Sequence, residues 1–221
     1  MWTDFAVQIF IIVLYLAIAM ELKNTLNQIK MDGKHTKKGW ITGAPGVGKT
    51  ALLHGLVGEL KWCDKTVEWI DEVIRDCPYS IDKDAGFKTE MWVVEHQHLK
   101  ELEKLKLAPN FLFCDRSMLD LAVYGTMLLE AGKLSEKEYQ ILLRAVMDWM
   151  HTYDFGILVS PSGKEVTADG FRATDKKYQM EMHNYFVKVF DAIGADYVVV
   201  DGSHAERITK VKDYFGKKGF L

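Results

Sequence analysis

Residues Gly43-Ala44-Pro45-Gly46-Val47-Gly48-Lys49-Thr50 match G-x-x-x-x-G-K-[ST], and no other feature constrains the fold as tightly. The pattern has meaning only between a strand and a helix. Here the apolar stretch Gly39–Thr42 precedes it and a helical stretch, Lys49–Trp62, follows. Glycines let backbone N–H groups turn around phosphate oxygens with no Cβ in the way, and the helix N-terminus adds partial positive charge. The expectation is ATP or GTP bound by Gly43 through Thr50 and the adjoining Ala51. Lys49 would reach the terminal phosphates, and the Thr50 hydroxyl would complete a Mg²⁺ shell.

From Lys37 onward strand and helix alternate. Strands are predicted at Gly39–Thr42, Thr66–Ile70, Asn110–Asp115, Phe155–Val159 and Asp196–Asp201, each short and apolar as strands buried on both faces are. Helices are predicted at Lys49–Trp62, Phe87–Lys106, Met118–Ala131, Ser135–Met150, Asp175–Ile193 and His204–Phe215. The second carries Met91, Val94, His98, Leu102 and Leu105 on one face, and Ser135 with Glu138 offers a capping box for the fourth. The fold class is therefore α/β: a three-layer P-loop NTPase fold, a five-stranded parallel sheet with helices on both faces and a short lid. An extra apolar helix precedes it.

That helix is Phe5–Met20, sixteen residues with Gln8 as the only polar side chain. At about 24 Å it falls short of the roughly 30 Å hydrocarbon core of a bilayer. Lys23, Lys30, Lys34, Lys37 and Lys38 follow it, which would leave the C-terminal side in the cytoplasm if the run is a membrane anchor. A signal peptide, a partner-facing helix, or a true start at Met20 are the alternatives. The domain division is 1–36, apolar helix and basic linker, then 37–221, the P-loop unit. With 28 Lys+Arg against 31 Asp+Glu the net charge is −3, so no basic excess exists to bind a nucleic-acid polymer. Cys63, Cys77 and Cys114 have no CxxC spacing and support neither a disulfide framework nor a zinc site.

Further chemistry collects at predicted strand ends, where ligands of parallel sheets lie. Asp115 closes an apolar strand and can hold the metal or accept a hydroxyl proton, while Arg116 can clamp phosphate oxygens bidentately. Glu72 and Arg75, three apart, suit an acceptor hydroxyl and a polar acceptor group; the alternative is a surface ion pair. The polar loop Lys164–Asp175 could close over the phosphates and bring Arg172 to the transferring group. The seven histidines form no metal-binding pattern, and the aromatic and Met residues of 139–149 and 178–190 read as core.

The order GAPGVGKT, IDEVIRD, FLFCDRSMLDLAVYG, DGFRATDKKY and DGSHAER resembles the P-loop nucleoside/nucleotide kinase-like family, in particular the AAA-type domain shared with the nicotinamide riboside kinase region of NadR. It is similar, more distantly, to thymidylate and deoxynucleoside kinases. The resemblance runs from about Gly39 to Phe215. It implies an ATP- and Mg²⁺-dependent phosphotransferase acting on a nucleoside, nucleotide or similar small acceptor. It places Asp115, Arg116 and Arg172 at the phosphates, Glu72 and Arg75 near the acceptor, and Gly202-Ser203 along the adenine. Whether Glu72 or Asp115 orients the acceptor hydroxyl stays open. The apolar N-terminus departs from the family pattern and motivates a rival reading, a nucleotide switch or membrane-tethered ATPase with a protein or lipid partner.

Overall fold

Two aromatic rings and two glycines set the middle of the sheet. A Cβ on Gly39 would lie 2.3 Å from the Phe155 ring, and one on Gly156 would lie 2.2 Å from the Trp40 ring. These positions are glycine because neighbouring strands lay aromatic rings flat across them, one on each face. The computed structural model describes residues 36–81, 85–161 and 176–221. The expected N-terminal helix and the expected lid, with Arg172, lie outside the described residues.

Five strands, β1 (Lys37–Thr42), β2 (Val67–Ile70), β3 (Phe111–Asp115), β4 (Phe155–Val159) and β5 (Val198–Val200), form one sheet in the order β2-β3-β1-β4-β5. Every pairing is parallel, with Ile41 opposite Asp115 and Gly39 opposite Phe155. Each parallel neighbour needs a crossover, and the helices supply it. They are α1 (Lys49–Trp62), α2 (Phe87–Leu105), α3 (Met118–Glu130), α4 (Glu136–Met150), α5 (Lys176–Ile193) and α6 (His204–Lys217), with a single 3₁₀ turn at Val73–Asp76. The arrangement is the three-layer α/β sandwich that the alternation predicts.

One layer holds α1 and α6, where Phe215 meets Phe111, Phe113 and Phe155 with centroids 5.5, 6.3 and 4.8 Å away. The opposite layer holds α2 to α5; α3 packs along both α4 and α5, and Trp40 meets Phe190 of α5 at 5.0 Å. The predicted stripe of α2 is buried from Met91 to Leu105, and the Ser135–Glu138 capping box is formed. In α4 and α5 the core positions are Leu142, Ala145, Val146, Trp149, Met182, Phe186, Val189 and Phe190, whereas Tyr178 and Met180 face solvent. Predicted and observed ends differ most at β5, an edge strand three residues long that pairs with β4. Among the described residues no helix is long and apolar enough to cross a membrane.

Candidate active site

The phosphate loop leaves β1 at Thr42 and enters α1 at Lys49. Gly43 and Gly48 are required by geometry. Gly43 has φ +144°, and a Cβ there would stand 2.6 Å from the Val159 carbonyl oxygen; Gly48 caps α1 in the left-handed region at φ +88°. Inside the loop the Lys49 ammonium donates to the carbonyls of Gly43 (3.2 Å) and Ala44 (3.1 Å). Burial, reinforced by the nearby Arg116 guanidinium, lowers the Lys49 pKa to about 7. Without an anion the loop holds this cation at a cost.

The strand register carries Asp115 to the same end. Ile41 and Asp115 are partners across β1 and β3, and the Thr50 hydroxyl donates to Asp115 Oδ2 at 2.7 Å. Asp115 Oδ1 is buried with no hydrogen-bond partner among the described residues, and burial raises the carboxyl's pKa. A hydroxyl beside a carboxylate with an unoccupied oxygen is a hard-oxygen donor set, so these residues fit Mg²⁺. No cluster of three or more His, Cys, Asp or Glu suited to a metal occurs among the described residues.

Arg116 is the hub of the remaining charge. Its backbone lies in the left-handed region at φ +71°, an uncommon place for a residue with a Cβ, and its N–H continues the ladder to Ile41 O at 3.0 Å. The guanidinium is buried. Nε bonds Glu72 Oε1 at 2.5 Å, and Nη1 bonds Asp120 Oδ1 at 3.0 Å and the Tyr124 hydroxyl oxygen at 2.9 Å. Glu72 also takes Arg75 Nε on Oε2 at 2.8 Å, so the pair is formed, with Glu72 buried and Arg75 reaching solvent. Burial opposes ionisation of Glu72, but the Arg116 and Arg75 guanidinium groups outweigh it and hold the pKa at about 2. A bidentate phosphate clamp by Arg116, as expected from sequence, requires these contacts to be exchanged.

Lys49, Thr50, Glu72, Arg75, Asp115 and Arg116 thus share one cluster at the carboxyl ends of β1, β2 and β3. Ala51 follows in the first turn of α1, exposed. Gly202 and Ser203 stand apart, at the end of β5. There Gly202 has φ +89° with the Glu206 carboxylate against it, and the Ser203 hydroxyl caps α6 by accepting from Glu206 N. Sequence reasoning missed Asp120, Tyr124 and Thr42. Asp120 accepts from Arg116, from the Thr42 hydroxyl and from Ser117 N (2.9 Å), closing a capping box on α3. Its signal was legible in Ser117-x-x-Asp120; that of Tyr124, two turns along α3 from Arg116, was not.

A parallel sheet in this order, with the glycine-rich loop after its central strand and acids at the neighbouring strand ends, defines a P-loop α/β domain. The chain belongs to the AAA domain family, whose sequence model matches residues 38–207. A search of the curated proteins by sequence gives no match. Among solved structures, deoxyadenosine kinase from M. mycoides with products dCMP and a flexible dCDP bound is similar at a TM-score of 0.58 and 14% identity. That match covers 81% of this chain and 99% of the other. NadR protein in complex with NAD and AMP-PNP is similar at a TM-score of 0.61 and 15% identity over 82% of this chain. The match spans half of the NadR chain. At these identities the likeness is one of fold.

Proposed function

We propose that the protein is an ATP- and Mg²⁺-dependent phosphotransferase that moves the γ-phosphoryl group to a hydroxyl of a nucleoside or closely related small acceptor. The observation that carries this reading is the Thr50–Asp115 pair, with a buried carboxylate oxygen that has no partner among the described residues, set between the Lys49 cradle and the Arg116–Glu72 pair. An NTP-hydrolysing switch needs the first half of that arrangement; a second carboxylate–guanidinium group beyond it suits a second substrate. The solved relatives support the acceptor class, one being a deoxyadenosine kinase and the other a NadR protein also solved with NR.

In this reading the loop N–H groups and Lys49 hold the β- and γ-phosphates. Thr50 and Asp115 would hold Mg²⁺, which would supply charge neutralisation at those phosphates. Glu72, kept ionised by two arginines, accepts a hydrogen bond from the attacking hydroxyl and aims it. So depressed a pKa makes it a weak proton acceptor, which is tolerable in a loose phosphoryl-transfer transition state where orientation counts for more than proton abstraction. Arg116 stabilises charge on the transferring group, a role that the family resemblance also implies for Arg172. The catalytic unit is taken as residues 37–221, with ATP preferred over GTP only by analogy with the relatives' bound nucleotides.

The test is ADP release by the full chain with MgATP against a panel of nucleosides, nucleoside monophosphates and nicotinamide riboside. One acceptor should stimulate release, and Lys49→Ala should reduce the stimulated rate by about 10²-fold or more. Tight nucleotide binding with no stimulation by any acceptor would overturn the reading in favour of a switch.

A further inference from the structure

The loop that cradles phosphate is held from outside as well as from within. Arg207, in the first turn of α6, donates from Nη1 to the Val47 carbonyl at 2.6 Å and from Nη2 to the Ser160 carbonyl at 3.2 Å. Gln179 of α5 donates to the Pro45 carbonyl at 2.9 Å. Both side chains are buried, at 3% and 1% exposure, although both belong to residue types that normally face water. Neither is fully satisfied: Arg207 Nε and Gln179 Oε1 have no partner among the described residues.

Two physical consequences follow. Across a trans peptide the carbonyl of one residue and the N–H of the next point in opposite directions. Fixing the Val47 and Pro45 carbonyls toward α6 and α5 therefore turns the N–H groups of Gly48 and Gly46 the other way. The second consequence is charge. Arg207 is bonded to two neutral carbonyls rather than to a carboxylate, and the acid that bears on it, Asp201, is itself paired with Lys210. A buried cation lying behind the loop, and close enough that a Cβ on Gly48 would be 3.5 Å from Nη1, favours an anion in front of it.

We infer that Arg207 and Gln179 are positioning residues of the phosphate cradle: they set the direction of the loop's N–H donors and, through Arg207, bias it toward polyphosphate. The inference rests on the nucleotide-binding reading above. It concerns the phosphates alone and leaves the acceptor untouched.

The experiment measures the dissociation constants of MgATP and MgADP, the KM of the acceptor and the melting temperature for Arg207→Met, Arg207→Lys, Gln179→Met and Gln179→Glu. Losing a hydrogen bond from a charged donor corresponds to roughly a tenfold to hundredfold change. Arg207→Met should weaken MgATP and MgADP by at least about tenfold, with acceptor KM changed less than about twofold. Arg207→Lys, which keeps the charge and one donor, should recover part of that loss. Gln179→Met and Gln179→Glu both lose the donor to the Pro45 carbonyl, and the carboxylate of Gln179→Glu also repels that carbonyl and an anion in the loop, so it should weaken nucleotide binding more than Gln179→Met. Unchanged nucleotide affinity in folded variants that merely melt lower would overturn the inference. Should Arg207→Met not fold, the comparison of Gln179→Glu with Gln179→Met decides. Wild-type protein that binds no MgATP would overturn the nucleotide-binding reading instead, a separate result.

Discussion

Arg116 concentrates in one residue what the site asks of its parts. Its backbone accepts a left-handed conformation, of the order of 1 kcal/mol for a side chain with a Cβ, and its guanidinium gathers Glu72, Asp120 and Tyr124 into one buried group. Lys49 shows the complementary condition. With its pKa lowered to about 7, the ammonium of the free protein is partly discharged at neutral pH, and bound phosphate should restore its proton. If the loop binds nucleotide as proposed, proton uptake on MgADP binding should be larger at pH 8 than at pH 6, because Lys49 of the free protein discharges through about pH 7. Calorimetry in buffers of different ionisation enthalpy measures this directly. Lys49→Arg, whose guanidinium keeps its proton throughout, should remove the uptake; a proton count independent of pH in the wild type would contradict the account.

At the scale of the element, α2 is the instructive case. Its inward face was legible as Met91, Val94, His98, Leu102 and Leu105, yet the same face buries Glu90 and Glu101. Glu101 is satisfied by Lys38, Gln97, Trp149 and Tyr153. Among the described residues Glu90 has no such ring of donors, and burial raises its pKa to about 7. An acid with a raised folded pKa keeps its proton in the native state after the unfolded chain has lost it. Its contribution therefore becomes progressively destabilising from about pH 4.5 to about pH 7 and constant above. The wild type should lose up to about 3 kcal/mol through this group between pH 5 and pH 8. Urea denaturation at both pH values should show Glu90→Gln escaping most of that loss, while the two proteins lie close together at pH 5.

For the molecule as a whole, the far end of the sheet carries a buried ion pair on one face, opposite the aromatic packing of Phe111, Phe155 and Phe215 on the other. Lys38 of β1 meets Glu101 of α2 at 2.6 Å and the Thr152 hydroxyl beyond α4, with its ammonium 4.2 Å from the Tyr153 ring centroid. Lys38→Met should destabilise the fold by about 3–5 kcal/mol, because it strands a buried carboxylate, and Glu101→Gln in the same chain should recover part of it. Chemical denaturation of the single and double variants checks both values. What the sequence by itself determined was local: the loop, the order of strands and helices, Asp115 at a strand end, the Ser135 cap. Each is encoded within a few residues by periodicity, glycine placement or capping chemistry, which tertiary context did not override. Only the tertiary structure decided the strand order and the partners of the buried charges. Arg207 lies 160 residues from Val47, Gln179 lies 134 from Pro45, and Glu101 lies 63 from Lys38. Contacts at such separations leave no periodic trace, since a buried Arg, Gln or Glu looks in sequence like any solvated one until the chain has closed around it.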